Sequence, residues 1–251
     1  MHHFFAEAGN IAEDSIRIVG DDVNHIKNVL RMKAGDGLMV SSGDNQDYNC
    51  HIEEISDSFV VCHIDSLREK SGELSGRVHL YQGLPKGDKM EFIIQKMVEL
   101  GCASVVPVAM KRSVVKLDAK KAEAKVKRWN TIAESAAEQS KRSLKMPVRD
   151  LMSFKEAVQD AGKCDKILVP YECAEGMSRT KTIIESLKTG QDIAVFIGPE
   201  GGFDESEIEA LSQADGQIIT LGNRILRTET AGMMLMSVLM YYYELLDLKE
   251  E

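Results

Sequence analysis

The sequence predicts a two-domain α/β protein, with a small β-barrel or sandwich followed by a larger domain whose mainly parallel sheet is covered by helices on both faces. Three observations lead there. Short strand-like runs alternate with turn signals over residues 37–64. From residue 78 onward, apolar strand-like runs alternate with helical patterns. Near the C-terminus two glycine-bearing loops, IGPEGGF at 197–203 and LGNRILRTETAG at 221–232, each follow an apolar strand and precede a helix. Two strand ends separated by one helix can bring both loops to a single crevice, which is where open α/β sheets bind ligands.

Taken in order, residues 23–31 have helical spacing, with Val23, Ile26, Val29 and Leu30 on one side. GLMVSSG, YNCHIEEI and SFVVCHI then read as strands. Residues 68–76, with Lys70, Ser71, Gly72 and Ser75, are polar and nearly free of large apolar side chains. They place a boundary near residue 72, between domains 1–72 and 73–251. Beyond it come strand VHLYQGL, a helix over about 86–100, strand ASVVPVAM and a long helix over about 122–141. A helix near 154–159, strand KILVP, a helix near 179–187 and strand DIAVFIGP follow, then a helix over 205–212, strand GQIITLG and a last helix over about 229–246.

With 251 residues, 43% of them hydrophobic, the chain can bury its core without disulfide or metal support. Five cysteines, none in a CxxC pair, point to a reduced, cytoplasmic protein with no structural zinc or other metal site. No apolar run has membrane-spanning length, and the N-terminus does not read as a signal sequence. The net charge of −9 conceals a division. Residues 1–85 carry 7 basic and 14 acidic side chains, residues 86–149 carry 15 and 7, and residues 150–251 carry 9 and 19. A basic middle between acidic flanks is a localised electrostatic footprint.

In the first loop, Gly198, Gly201 and Gly202 let backbone approach a ligand, and Pro199 stiffens the turn. Asp204 is placed to cap the next helix, with Glu207 completing a capping box. In the second, Ile225 and Leu226 can floor a flat ring, and Arg227 offers a planar fork of donors to phosphate or to a developing negative oxygen. Thr228 or Thr230 can cap the last helix. All six histidines lie before residue 80, which leaves the expected catalytic domain without an imidazole for acid-base work. Neither loop contains cysteine, and no GxxxxGK[ST] or strand-following GxGxxG occurs. What remains is a pocket of backbone, apolar side chains, one arginine and nearby carboxylates.

These residues, together with MHHFF at the start, HIKNVLRMKAGD at 25–36, LPKGDKMEFIIQKMVELG at 84–101 and AAEQSKR at 136–142, resemble the bacterial ribosomal RNA uridine-N3 methyltransferases of the RsmE type, of the SPOUT class. The match runs nearly end to end. AEQSKR stands where AEQCGR is more familiar, a departure away from the loops. The resemblance implies a PUA-like RNA-binding β-barrel, a trefoil-knotted methyltransferase domain that binds S-adenosyl-L-methionine, action on 16S ribosomal RNA, and a homodimer whose active site the partner subunit completes. It implies that 197–202 and 221–231 are the knot loops, with backbone at Ile197, Leu221 and Leu226 holding adenine. Gly198, Glu200, Gly201 and Gly222 would line the rest, within a cofactor set that also takes Pro199, Gly202, Ile225, Arg227, Thr230 and Ala231.

For N3 of uridine to attack a methyl group it must lose its proton, and the resulting charge spreads onto O2 and O4. Arg227 is the expected donor to that charge, and the base is Glu200, Glu229 or water, with Glu200 placed first. Arg31, Lys86, Lys89, Lys111, Arg112, Lys116, Arg128, Lys141 and Arg142 are the expected RNA contacts. Phe4 and Phe5 are assigned to core packing ahead of RNA, and Met233, Met234, Met236 and Met240 to helix core or dimer interface. The rival readings are a knotted methyltransferase acting on another ribosomal or transfer RNA position, and an RNA-binding assembly factor with an inactive fold.

Overall fold

The computed structural model describes residues 1–68, 72–174 and 176–248; Lys70 and Ser71 of the expected boundary segment lie outside them. The chain forms two compact units, Met1–Glu73 with Ala137–Lys145, and Leu74–Ala136 with Met146–Glu251.

In the first unit, strands β1 (His2–Phe5), β2 (Ser15–Val19), β3 (Gly37–Ser41), β4 (Asp47–Ile55) and β5 (Phe59–Leu67) make one sheet in the order β1-β3-β4-β5-β2. β1 runs parallel to β3, and the other pairs are antiparallel. Register shifts in the β4–β5 ladder mark bulges, which bend and twist a sheet. Because side chains alternate across a strand, Ile16, Ile18, Leu38, Val40, Cys50, Ile52, Val60 and Cys62 reach one core together with Phe4. Phe5 is buried as well.

The helix expected over 23–31 is a short α1 (Asp21–Asn24) that widens into a π-turn at His25–Val29. The wider turn changes the angular spacing, so Val23 and Ile26 stay buried while Val29 is 64% exposed. Several buried polar groups of this unit are linked to one another. His3 Nε2 lies 2.6 Å from Ser41 Oγ, Ser41 donates to Asp47, and Ser143 Oγ donates to Asp47 Oδ2 at 2.7 Å.

In the second unit, β6 (Arg77–Gly83), β7 (Ser104–Ala109), β8 (Met152–Ser153), β9 (Lys166–Pro170), β10 (Asp192–Ile197) and β11 (Gln217–Ile219) form an entirely parallel sheet in the order β11-β9-β10-β6-β7-β8. The helices are α2 (Lys89–Glu99), α3 (Ala119–Ser140), α4 (Phe154–Ala161), α5 (Met177–Glu185), α6 (Glu205–Gln213) and α7 (Thr228–Asp247). Tyr81, Val106, Ala194 and Phe196 pack with Ala157 and Ala161 of α4 and Leu211 of α6. The alternate residues of β6 and β10, such as Leu80 and Ile197, turn to the other face, where they approach Gly232 of α7. α7 packs there against α2 and α5.

β6 is followed in the chain by β7 on one side of it, while β10, inserted on its other side, is followed by β11 beyond β9. The carboxyl ends of β6 and β10 are adjacent, and the loops leaving them meet where Lys86 N–H donates to Glu200 Oε1 at 3.0 Å. Among the described residues no helix is long and apolar enough to cross a membrane.

His79 corrects one expectation. It lies on β6, inside the second unit, so that unit does contain an imidazole. Its ring nitrogens meet Ser104 Oγ at 2.8 Å and Asp192 Oδ1 at 3.1 Å, near the amino ends of the strands. Asp192 also receives Arg77 at 2.7 Å, and these contacts, Arg77 foremost, hold its carboxyl down at about 2.

Candidate functional site

A cavity of about 990 Å3 opens at the carboxyl edge of the parallel sheet, lined by residues 197–200, 202–203 and 220–228 of the two glycine loops, with Ala231. Pro170 at the end of β9, with Tyr171 and Glu172 just beyond it, forms another wall, and Lys89 of α2 reaches in from the side.

Backbone chemistry shapes the walls. Gly83 ends β6 beneath the first loop, where a Cβ would stand 2.6 Å from Pro199 Cδ, so only glycine permits this closure. Gly222 has φ +103° with open space around its α-carbon, a left-handed turn that presents bare backbone to the cavity. The first loop runs into α6 through the expected capping box: Asp204 accepts from Ser206 N–H at 3.3 Å, and Glu207 Oε2 accepts from Asp204 N–H at 2.9 Å. Lys111 Nζ is 3.1 Å from Asp204 Oδ1; with the Ser206 hydrogen bond as the larger cause, it brings that carboxyl to about 2.

Thr228 does not cap α7. The N-cap is Arg227, without a side-chain cap bond, and Thr228 is the first helical residue. Its buried hydroxyl donates to Gly198 O at 2.6 Å and accepts from Gln82 Nε2 at 2.9 Å, tying the second loop to the first. Thr180 of α5 holds the start of the second loop, its hydroxyl donating to Thr220 O at 3.0 Å and accepting Thr220 N–H at 3.2 Å.

The charged groups divide sharply. Arg227 is exposed on the cavity rim, and its side chain makes no hydrogen bond or ion pair among the described residues. Glu200 Oε1 accepts Lys86 N–H at 3.0 Å and lies 3.0 Å from Lys89 Nζ. Desolvation opposes the charge, yet these two contacts prevail and hold the Glu200 carboxyl below its ordinary value. Lys89 Nζ also lies 3.4 Å from Glu229 Oε2, and the carboxylates, Glu200 foremost, raise the Lys89 ammonium above its usual value. Glu229 is not among the residues lining the cavity.

Of the apolar floor, Leu226 is half-buried, but Ile225 is 85% exposed and stands at the mouth. Gly201 packs on Arg112, where a Cβ would come within 3.0 Å, and neither it nor Thr230 lines the cavity. Among the expected RNA contacts, Lys86, Lys111, Arg112, Lys116 and Arg128 are exposed on the second unit, with Arg128 paired to Glu91 at 2.9 Å. On the first unit Arg31 and Lys141 are exposed in left-handed backbone, at φ 55° and 58°. Arg142 is different: it is 5% exposed, and its Nε donates to Glu73 at 3.1 and 3.2 Å. That guanidinium is committed to a buried carboxylate and is unavailable to phosphate. Of the methionine stripe, Met236 is buried and the other three are half-buried.

The chain matches the family model of an RNA methyltransferase domain over residues 72–240 and that of an RNA methyltransferase PUA domain over 18–65. It is 43% identical over 232 residues to the ribosomal RNA small subunit methyltransferase E of Bacillus subtilis (strain 168), covering 91% of each chain. The chain belongs to the ribosomal RNA small subunit methyltransferase E family. Another member, from Mesomycoplasma hyopneumoniae (strain 232), is 31% identical, with 94% of this chain and 98% of that one covered. Among solved structures, methyltransferase E from Neisseria gonorrhoeae bound to S-adenosyl methionine superposes with a TM-score of 0.84 at 26% identity, covering 97% of this chain and 98% of that one.

Proposed function

We propose that this member of the methyltransferase E family transfers the methyl group of S-adenosyl-L-methionine to N3 of one uridine in 16S ribosomal RNA. The observation that carries the reading is the cavity itself: two glycine loops, tied by Thr228 to Gly198, border a space with the Arg227 guanidinium, which has no side-chain partner among the described residues, on its rim. Its bare backbone at Gly222 suits the close approach of a nucleoside, so the residues present fit the methyl donor. When bound, the donor supplies an electrophilic methyl group on a sulfonium. The loops, at Ile197, Gly198, Pro199, Glu200, Gly202, Leu221, Gly222, Leu226 and Ala231, hold it and exclude water, and we read 197–202 and 221–231 as the strands of a trefoil knot.

Arg227 donates to the uracil oxygens as N3 loses its proton, and preorganised donors of this kind act most strongly where water is excluded. Glu200, the carboxylate of the pair that lines the cavity, accepts that proton. Held below its ordinary value, it is a weak acceptor, so the uracil anion must be strongly stabilised for the transfer to proceed. Residues 1–72 act as the PUA-like RNA-binding domain and 73–251 as the methyltransferase domain. Arg31, Lys86, Lys111, Arg112, Lys116, Arg128 and Lys141 meet phosphates.

The working form is a cytoplasmic homodimer. Phe92 on α2 and Val238, Tyr241 and Leu245 on α7 leave exposed apolar surface on two adjacent helices, and the α7 residues recur at helical spacing. The test is digestion and mass spectrometry of small-subunit RNA from cells lacking the gene: loss of N3-methyluridine supports the reading, and its retention refutes it.

A further inference from the structure

Lys89 is the first residue of α2, where the positive end of the helix dipole disfavours an ammonium. Two carboxylates from distant parts of the second unit offset that cost. Glu200 Oε1 lies 3.0 Å and Glu229 Oε2 lies 3.4 Å from Nζ, and Glu229 Oε2 is buried with no hydrogen-bond partner. Glu229 thus sits behind the ammonium as a fixed counter-charge, while Lys89 itself lines the cavity. An ammonium has three donors, and both carboxylates stand within ion-pair distance of Nζ.

A phosphate contact on the RNA backbone fits this placement poorly. Such lysines are exposed, as Lys116 is, whereas Lys89 is half-buried and aimed by two anions. We propose that Lys89 is a catalytic residue of the methyl transfer: an N–H of its ammonium donates to a uracil carbonyl oxygen as N3 gives up its proton, with Glu229 as the positioning residue. Lys89 and Arg227 would then share the charge on O2 and O4, supplying the stabilisation that a weakly basic Glu200 requires. The inference rests on the methyl-transfer reading above.

The test compares wild type with Lys89→Met, Lys89→Arg and the double variant Lys89→Met/Glu229→Gln, the last of which avoids stranding a buried carboxylate. Two quantities are measured: single-turnover methylation of undermethylated small subunits, and the salt dependence of small-subunit binding without methyl donor. The expected result is a fall of about 10²–10³-fold in the methylation rate for both methionine variants, the size of one lost oxyanion donor. Partial rescue by arginine and an unchanged salt slope are expected alongside it. A phosphate contact would instead lower the salt slope by about one and leave the saturated rate intact. That outcome overturns the inference, as does a rate that does not change in either methionine variant. An inactive wild type would overturn the methyl-transfer reading itself, which keeps the two failures apart.

Discussion

Thr228 is where the two loops are joined, and its replacement by valine tests whether that joint holds the site together. Valine matches threonine in shape and removes only the hydroxyl. The hydroxyl is buried, with 6% of the residue exposed, and its loss strips Gly198 O of a 2.6 Å bond and Gln82 Nε2 of a 2.9 Å bond. Each buried polar group left unsatisfied costs about 1–3 kcal/mol. Gln82 Nε2 keeps its bond to Gly83 O at 3.0 Å and falls at the low end. The sum is about 2–4 kcal/mol of lost stability. Thr228→Ser keeps the hydroxyl and gives up one methyl group, about 0.8 kcal/mol. Urea unfolding of the three proteins measures the difference, and calorimetry with S-adenosyl-L-methionine reports whether the loosened loops bind more weakly. Thr228→Val within about 0.5 kcal/mol of wild type, the scatter of ordinary surface changes, would refute the reasoning.

Arg227→Ala is expected to slow single-turnover methylation by about 10²–10³-fold with little change in methyl-donor affinity, checked by rapid quench and calorimetry. Gly222→Ala introduces a Cβ at φ +103° and costs roughly 1–3 kcal/mol of strain, measured by urea unfolding together with weaker methyl-donor binding. Arg142→Met strands Glu73 in the first unit and lowers stability by about 3–5 kcal/mol in the same unfolding assay. Asp192, whose carboxyl is lowered to about 2, stabilises the fold above pH 4 and loses that contribution as pH falls through 2. Asp192→Asn should therefore cost about 1–2 kcal/mol at neutral pH, a partly exposed group being screened, with a gap that closes between pH 4 and pH 2 in pH-dependent unfolding.

Local pattern was enough to read the alternating architecture of the second unit. KILVP and DIAVFIGP are strands bounded by turn residues, and Asp204 with Glu207 three positions on specifies a helix start whose bonds the structure contains. The meeting of the two glycine loops at one cavity was legible for the same reason, since parallel strands bring their carboxyl ends to one edge. Illegible were features that depend on distant partners. β1 is four residues long, and it is a strand because β3 lies beside it in parallel, far along the chain. β2 pairs with β5, and residues 137–145 group with the first unit through contacts that no local spacing encodes.

Charge was misread where a partner lay hidden. Lys89 and Arg142 look like neighbours of other basic residues in the sequence, but Glu200, Glu229 and Glu73 claim them in space. A signal existed for Lys89 alone: a lysine at the start of a helix runs against the dipole and asks for a compensating anion. Ile225 shows the reverse case. An apolar residue in a ligand loop suggests a floor, yet Ile225 is left 85% exposed at the mouth of the cavity.

The central claim, methyl transfer to N3 of one uridine, is tested most directly in a purified system. Wild-type protein is incubated with S-adenosyl-L-methionine carrying a labelled methyl group and with small subunits from cells lacking the gene. The RNA is then digested and its nucleosides identified by mass spectrometry. The account predicts label in N3-methyluridine at a single position of 16S ribosomal RNA. Label in any other nucleoside, or none at all, would contradict it.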